Sequence, residues 1–85
     1  MIEFESATEV RRFLKKQGFP VNLLRVRKTR GFRNQFFVVE LKDSSGLAAT
    51  QSGSDIPTKF FGEAGAVSIL TEMNAATKGT NIIVG

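Results

Sequence analysis

Apolar residues recur with helical spacing near the N-terminus, with strand-like alternation in the middle, and with helical spacing again beyond residue 58. The first helical segment is the best marked. Ser6 followed by Glu9 reads as a capping box, in which the hydroxyl accepts a first-turn amide hydrogen and the carboxylate reaches back. Val10, Phe13 and Leu14 then fall at i, i+3 and i+4 and make one apolar stripe. Arg11, Arg12, Lys15 and Lys16 take the other side. Arg11/Lys15 and Arg12/Lys16 are like-charge i,i+4 pairs, each costing an isolated helix a few tenths of a kcal/mol that a partner anion would offset. Gly18 reads as the residue just past the helix, Pro20 prevents continuation, and Phe19 is placed to fold back on Leu14.

Val21 to Lys28 reads as a strand, with Leu24 and Val26 on one face and Leu23, Arg25 and Arg27 on the other. Residues 29–34 form a connection with turn residues at Gly31 and Asn34. Gln35 to Lys42 is a second strand. Phe36, Phe37, Val38 and Val39 are apolar on both faces, which predicts a central place in the sheet. Asp43 to Gly46 is a turn, Leu47 to Gln51 a short third strand, and Ser52 to Pro57 a loop. A second helix is expected from Lys59 to Lys78, presenting Phe61, Ala64, Val67, Leu70 and Met73 to the sheet and stopping at Lys78-Gly79. Ile82, Ile83 and Val84 form an apolar tail, either a fourth strand or a segment that docks on the core or on a partner. The expected fold is therefore α+β, one domain over 1–85, ordered helix-strand-strand-strand-helix around a three-stranded antiparallel sheet, with a short C-terminal strand as an addition.

A chain of 85 residues is one domain that buries only about 60% of its unfolded surface. With neither Cys nor His, it has no zinc set, thiol nucleophile, imidazole base or disulfide framework. The serines have no imidazole to activate them, no lysine lies in an apolar run, and the Gly-x-x-x-x-Gly-Lys phosphate loop is absent. The expectation is a non-enzymatic protein without cofactor or metal. Met1-Ile2-Glu3-Phe4-Glu5 is acidic, with no apolar run after it, so neither a signal peptide nor a membrane span is expected, and a cytoplasmic location is.

The net charge of +4 is unevenly spread. Residues 1–42 hold ten cations against four carboxylates, residues 43–85 two against four. Such a division suggests one face meant for an anionic partner, although a charge of this size also suits a merely solvated surface. Arg25, Arg27, Lys28, Arg30 and Arg33 all fall in the predicted hairpin and are the main candidates. Arg25 and Arg27 share a strand face roughly 6.6 Å apart at strand rise, near the phosphate spacing of a nucleic-acid strand. Arg30, Phe32 and Arg33 are placed at its tip, where Phe32 either stacks on a base or folds back under the hairpin. For the arginines the competing role is protection of a sheet edge. Gly62-Glu63-Ala64-Gly65 matches the glycine pattern of a KH-domain backbone clamp, but Glu63 puts a negative charge where a phosphate would pass, and the pattern better suits glycines that let the helix pack closely on the sheet.

The order helix, strand, strand, strand, helix resembles the double-stranded-RNA-binding domain over about residues 6–73. The matching residues are Gly18-Phe19-Pro20 after the first helix and Phe37, Val39 and Leu41 in the second strand. Gly46, Ala49 and Ser52-Gly53-Ser54 suit the third strand and its exit, and Lys59, Phe61, Ala64, Ala66 and Leu70 the second helix. The resemblance implies three contacts on an RNA duplex: Arg11, Arg12, Lys15 and Lys16 of the first helix, Arg30 to Asn34 of the hairpin, and Lys59 at the second helix. The chain departs from the family in having Thr58-Lys59 where a lysine pair stands, no His near Asn34, and a continuation through Ile82-Ile83-Val84.

The functional expectation is a nucleic-acid-binding module, RNA favoured over DNA, acting through Arg11, Arg12, Lys15, Lys16, Arg25, Arg27, Lys28, Arg30, Phe32, Arg33 and Lys59. The alternative is a small protein-interaction module, such as a phage or mobile-element inhibitor or adaptor, or a homodimer formed through the C-terminal tail.

Overall fold

The structure is a computed structural model and describes residues 2–30, 35–42 and 57–85. The hairpin tip carrying Phe32 and Arg33, and the third strand expected at Leu47–Gln51, lie outside the described residues. The described chain holds helix α1 (Ala7–Lys16), strands β1 (Leu24–Arg30) and β2 (Gln35–Leu41), helix α2 (Gly62–Ala76) and strand β3 (Ile82–Val84). Single 3-10 turns at Val21–Leu23 and Thr58–Phe60 precede β1 and α2.

α1 forms where the capping pattern places it. The Ser6 hydroxyl accepts the Glu9 N–H at 3.2 Å, and the Glu9 carboxylate accepts the Glu5 N–H at 2.8 Å, one residue ahead of the usual partner. The helix ends in a Schellman motif: Phe19 N–H donates to Leu14 O and Gly18 N–H to Lys15 O, both at 3.0 Å. Gly18 takes φ +93°, which side chains resist. The fold-back buries Phe19 in the same core cluster as Leu14.

The sheet is ordered β1-β2-β3, with β2 central, as its two-faced apolar run predicts. The α+β class is as expected, but the sheet is mixed rather than wholly antiparallel. β1 and β2 are antiparallel, with Leu24 opposite Leu41 and Arg30 opposite Gln35. β2 and β3 are parallel, with Phe37 opposite Ile82 and Val39 opposite Val84. The connection explains the direction: the chain passes through α2 between β2 and β3, and a helical crossover returns it in the same sense. The apolar tail is thus an integral strand.

Strand alternation divides the sheet into two faces. Leu24, Phe37, Val39 and Ile82 are buried together with Val10 and Leu14 of α1 and Ala66, Ile69 and Met73 of α2. Both helices therefore cover the same face. The second helix starts later than expected and in a different phase. Phe61 is extended (φ −78°, ψ 144°) and separates the 3-10 turn from the α-helix. Val67 consequently points outward at 66% exposure, while Ala66, Ile69 and Met73 face the sheet. Gly65 sets that phase, because a Cβ there would overlap the Phe60 carbonyl. The glycine thus allows close packing, but against the backbone of the 3-10 turn rather than against the sheet. The helix also ends earlier than Lys78, at Ala76, where the Thr77 hydroxyl donates to Met73 O at 2.7 Å.

Asn81 ties the ends of the chain together. It is 2% exposed. Its Oδ1 accepts the Phe4 N–H at 2.8 Å, and its Nδ2 donates to Phe4 O at 2.9 Å and Gln35 O at 3.1 Å. Beside it, Ile2 N–H donates to Gly79 O and Asn81 N–H to Ile2 O, forming a parallel bridge.

Candidate nucleic-acid interface

Among the described residues, the candidate cations do not converge on one surface. Arg25 and Arg27 are exposed on the sheet face opposite both helices, whereas Arg12, Lys15 and Lys16 are exposed on α1, in the helix layer. Lys28 is also exposed but alternates with Arg27, so it lies toward the helix side, at the rim beyond Val26. Arg30 was expected on the hairpin tip. Its backbone instead forms the last pair of β1, opposite Gln35, so the strand begins three residues later, after the 3-10 turn that takes Leu23, and runs two residues further than the sequence pattern indicates.

Several of the cations already have partners. Arg11 is half-buried, and its Nη1 lies 3.4 Å from the carbonyls of both Val21 and Leu24, so it braces the turn into β1. Lys59 Nζ donates to Glu72 Oε1 at 3.0 Å and stands 5.0 Å from the Phe60 ring centroid, securing the start of α2 to its middle. Arg27 Nε lies 3.4 Å from Glu40 Oε1, although register places Arg25, not Arg27, directly opposite Glu40. With side chains 59% and 33% exposed, this pair stabilises the fold by less than about 1 kcal/mol. A phosphate can therefore compete for Arg27.

The sheet face bearing Arg25 and Arg27 is not wholly polar. Phe36 and Val38 of β2 alternate with the buried Phe37 and Val39, so they stand on this face, and Ile83, opposite Val38, is 47% exposed there. Neither Phe36 nor Val38 belongs to the core cluster or to the hydrophobics packed around it. Sequence reading missed this combination. Its signal is the two-faced apolar run of β2, which indicates a central strand and equally an apolar strip on the open face.

An open groove of about 330 Å³ runs between the N-terminal segment and α1. Ile2, Phe4 and Phe13 supply its apolar surface, with the two phenylalanine rings 5.1 Å apart, and Arg12 and Lys16 flank it. Glu3 and Glu9 line it as well, so its charges balance. Among the described residues, no three His, Cys, Asp or Glu side chains form a group able to hold a metal, and no helix is long and apolar enough to cross a membrane. Comparison with known proteins found no family model, curated protein or solved structure that matches the chain.

Proposed function

We propose that this chain is a non-enzymatic nucleic-acid-binding module whose contact surface is centred on β1. The observation that carries this reading is the exposure of Arg25 and Arg27 on one sheet face, two residues apart and away from both helices. Their separation of roughly 6.6 Å matches successive phosphates of an extended strand. The absence of His and Cys from the sequence favours binding over catalysis. RNA is favoured over DNA through the resemblance to the double-stranded-RNA-binding domain, whose first-helix contact would fall on Arg12, Lys15 and Lys16.

The test is fluorescence anisotropy with labelled RNA and DNA across a salt series. Binding should weaken steeply with salt, and the double variant Arg25→Glu/Arg27→Glu should lower the log–log slope by about 2, one for each lost phosphate contact. Affinity and slope unchanged in that variant would remove the sheet face from consideration.

The groove on α1 favours a second reading, a protein-interaction module. Its apolar surface is open, with Ile2 65% exposed. On that reading Phe13→Asp would abolish capture of a partner, while Arg25→Glu/Arg27→Glu would leave it unchanged.

A further inference from the structure

We infer that the face of the sheet formed by Arg25, Arg27, Phe36, Val38 and Ile83 takes a single strand of nucleic acid, with a base stacked on the Phe36 ring and the phosphates held by the two arginines. This rests on the reading of the chain as a nucleic-acid-binding module. It narrows the polymer to an unpaired strand and adds an aromatic contact that charge alone does not reveal.

Three observations lead to it. The first is placement. Phe36 lies opposite Thr29, and the next position along β1 on the same face is Arg27. A diagonal pair of this kind is roughly 7–8 Å apart, a span that one nucleotide bridges from base to phosphate. The second is the state of the apolar side chains. Phe36 is half-buried on the face away from the helices, and it joins neither the core nor the residues packed around it. Ile83 extends the apolar strip across β3. An aromatic ring and two aliphatic neighbours on an exposed sheet face offer a surface to the π-face of any base.

The third observation is charge. Among the described residues of this face, Glu40 is the only acidic side chain, and it sits at the Arg25 end, four residues along β2 from Phe36. Among the described residues, the stacking end of the strip therefore carries no acidic side chain that would repel a phosphate. A partner combining regularly spaced anions with flat apolar rings complements this face, which an acidic peptide does only in part. Duplex RNA, the polymer that the family resemblance implies for the cations of α1, fits this separate face poorly. Its bases are stacked inside the helix and its major groove is deep and narrow, so a ring standing on a three-stranded sheet cannot reach them.

The chain has no Trp or Tyr, so Phe36→Trp introduces its single indole. Oligouridine and oligothymidine of about twelve nucleotides, within the usual span of such sites, should quench that indole to saturation, and an RNA duplex of equal length should not. The same oligonucleotides should leave unquenched the indole of Val67→Trp, which stands on the outward side of α2. Phe36→Leu should weaken single-strand binding about 10-fold, as loss of one base–aromatic stack does, with the salt slope unchanged. The inference is overturned if the duplex binds as tightly as the single strands, or if the Phe36→Trp indole stays unquenched while Arg25→Glu/Arg27→Glu still abolishes binding. In that case the broader nucleic-acid reading survives. If no polymer binds the wild-type chain, both fail together. A wild-type dimer by light scattering, with the Phe36→Trp indole shielded before any oligonucleotide is added, would assign the face to a second copy and also overturn the inference.

Discussion

Asn81 is a small polar side chain in a buried place, and both its amide hydrogens and its oxygen find partners there. One donor and two acceptors of the backbone, from Phe4 and Gln35, depend on it. Replacing it with a similarly sized apolar residue would leave these groups unpaired, at about 1–3 kcal/mol for each that remains shielded from water. Asn81→Leu should therefore lower the unfolding free energy by about 3 kcal/mol, a large part of the margin of so small a domain, read as a fall in the urea midpoint with an unchanged slope. A loss below about 0.5 kcal/mol, the range of ordinary surface substitutions, would mean that water replaces the amide. Arg11 makes a milder version of the same point. It stood among the basic side chains expected to meet a ligand, but its guanidinium lies against two carbonyls of its own chain. Formal charge does not reveal that a cation is already engaged.

Each helix begins by its own device. α1 has a side-chain cap, so Ser6→Ala should cost about 1 kcal/mol, read in thermal or urea unfolding. A cost near zero would place the stability of that terminus in the Glu9 contact to Glu5. α2 has no side-chain cap and starts from an extended Phe61 after a 3-10 turn. Contact between Gly65 and the Phe60 backbone holds this irregular start. Gly65→Ala adds a methyl group where backbone atoms already stand, so the usual helix preference for Ala should reverse. The expected loss is about 3 kcal/mol, the upper part of the usual range for overpacking. A gain in stability would show that the start of α2 shifts freely. The expected stripe of α2 is anchored on Phe61, which lies outside the helix; freed of that anchor, Ala66, Ile69 and Met73 face the sheet and Val67 faces outward.

At the scale of the whole molecule, the sheet depends on its last strand. Ile82 is 6% exposed, Phe37 N–H donates to Asn81 O, and Gly85 N–H donates to Val39 O. Removing residues 81–85 would uncover the buried edge of β2 and release the N-terminal segment held by Asn81. The truncated chain should lose its cooperative thermal transition, measured by circular dichroism. A truncated chain that melts with the wild-type midpoint would show that the tail is dispensable. A C-terminal tail acting as a detachable partner-binding segment is hard to reconcile with this packing. Two layers also set the electrostatics. The helices share one side of the sheet, so the cations of α1 and those of Arg25 and Arg27 face different directions, and a single ligand would have to wrap an edge to meet both.

The local signals in the sequence were sufficient for α1 with its cap and Schellman stop, for the alternation of β1, for the central place of β2 and for the α+β class. Each rests on neighbours within a few residues: a hydroxyl three positions from an amide, a glycine where φ must be positive, apolar side chains at period two or 3.6. Tertiary structure decided what depends on distant residues. Ile82–Val84 became a strand parallel to β2 because α2 carries the chain back across the sheet. Asn81 became a structural joint because Phe4 and Gln35 meet beside it. Phe36 became a candidate contact because both helices chose the other face, a choice made by the shared burial of Leu14, Phe37 and Ile69, which local periodicity cannot express.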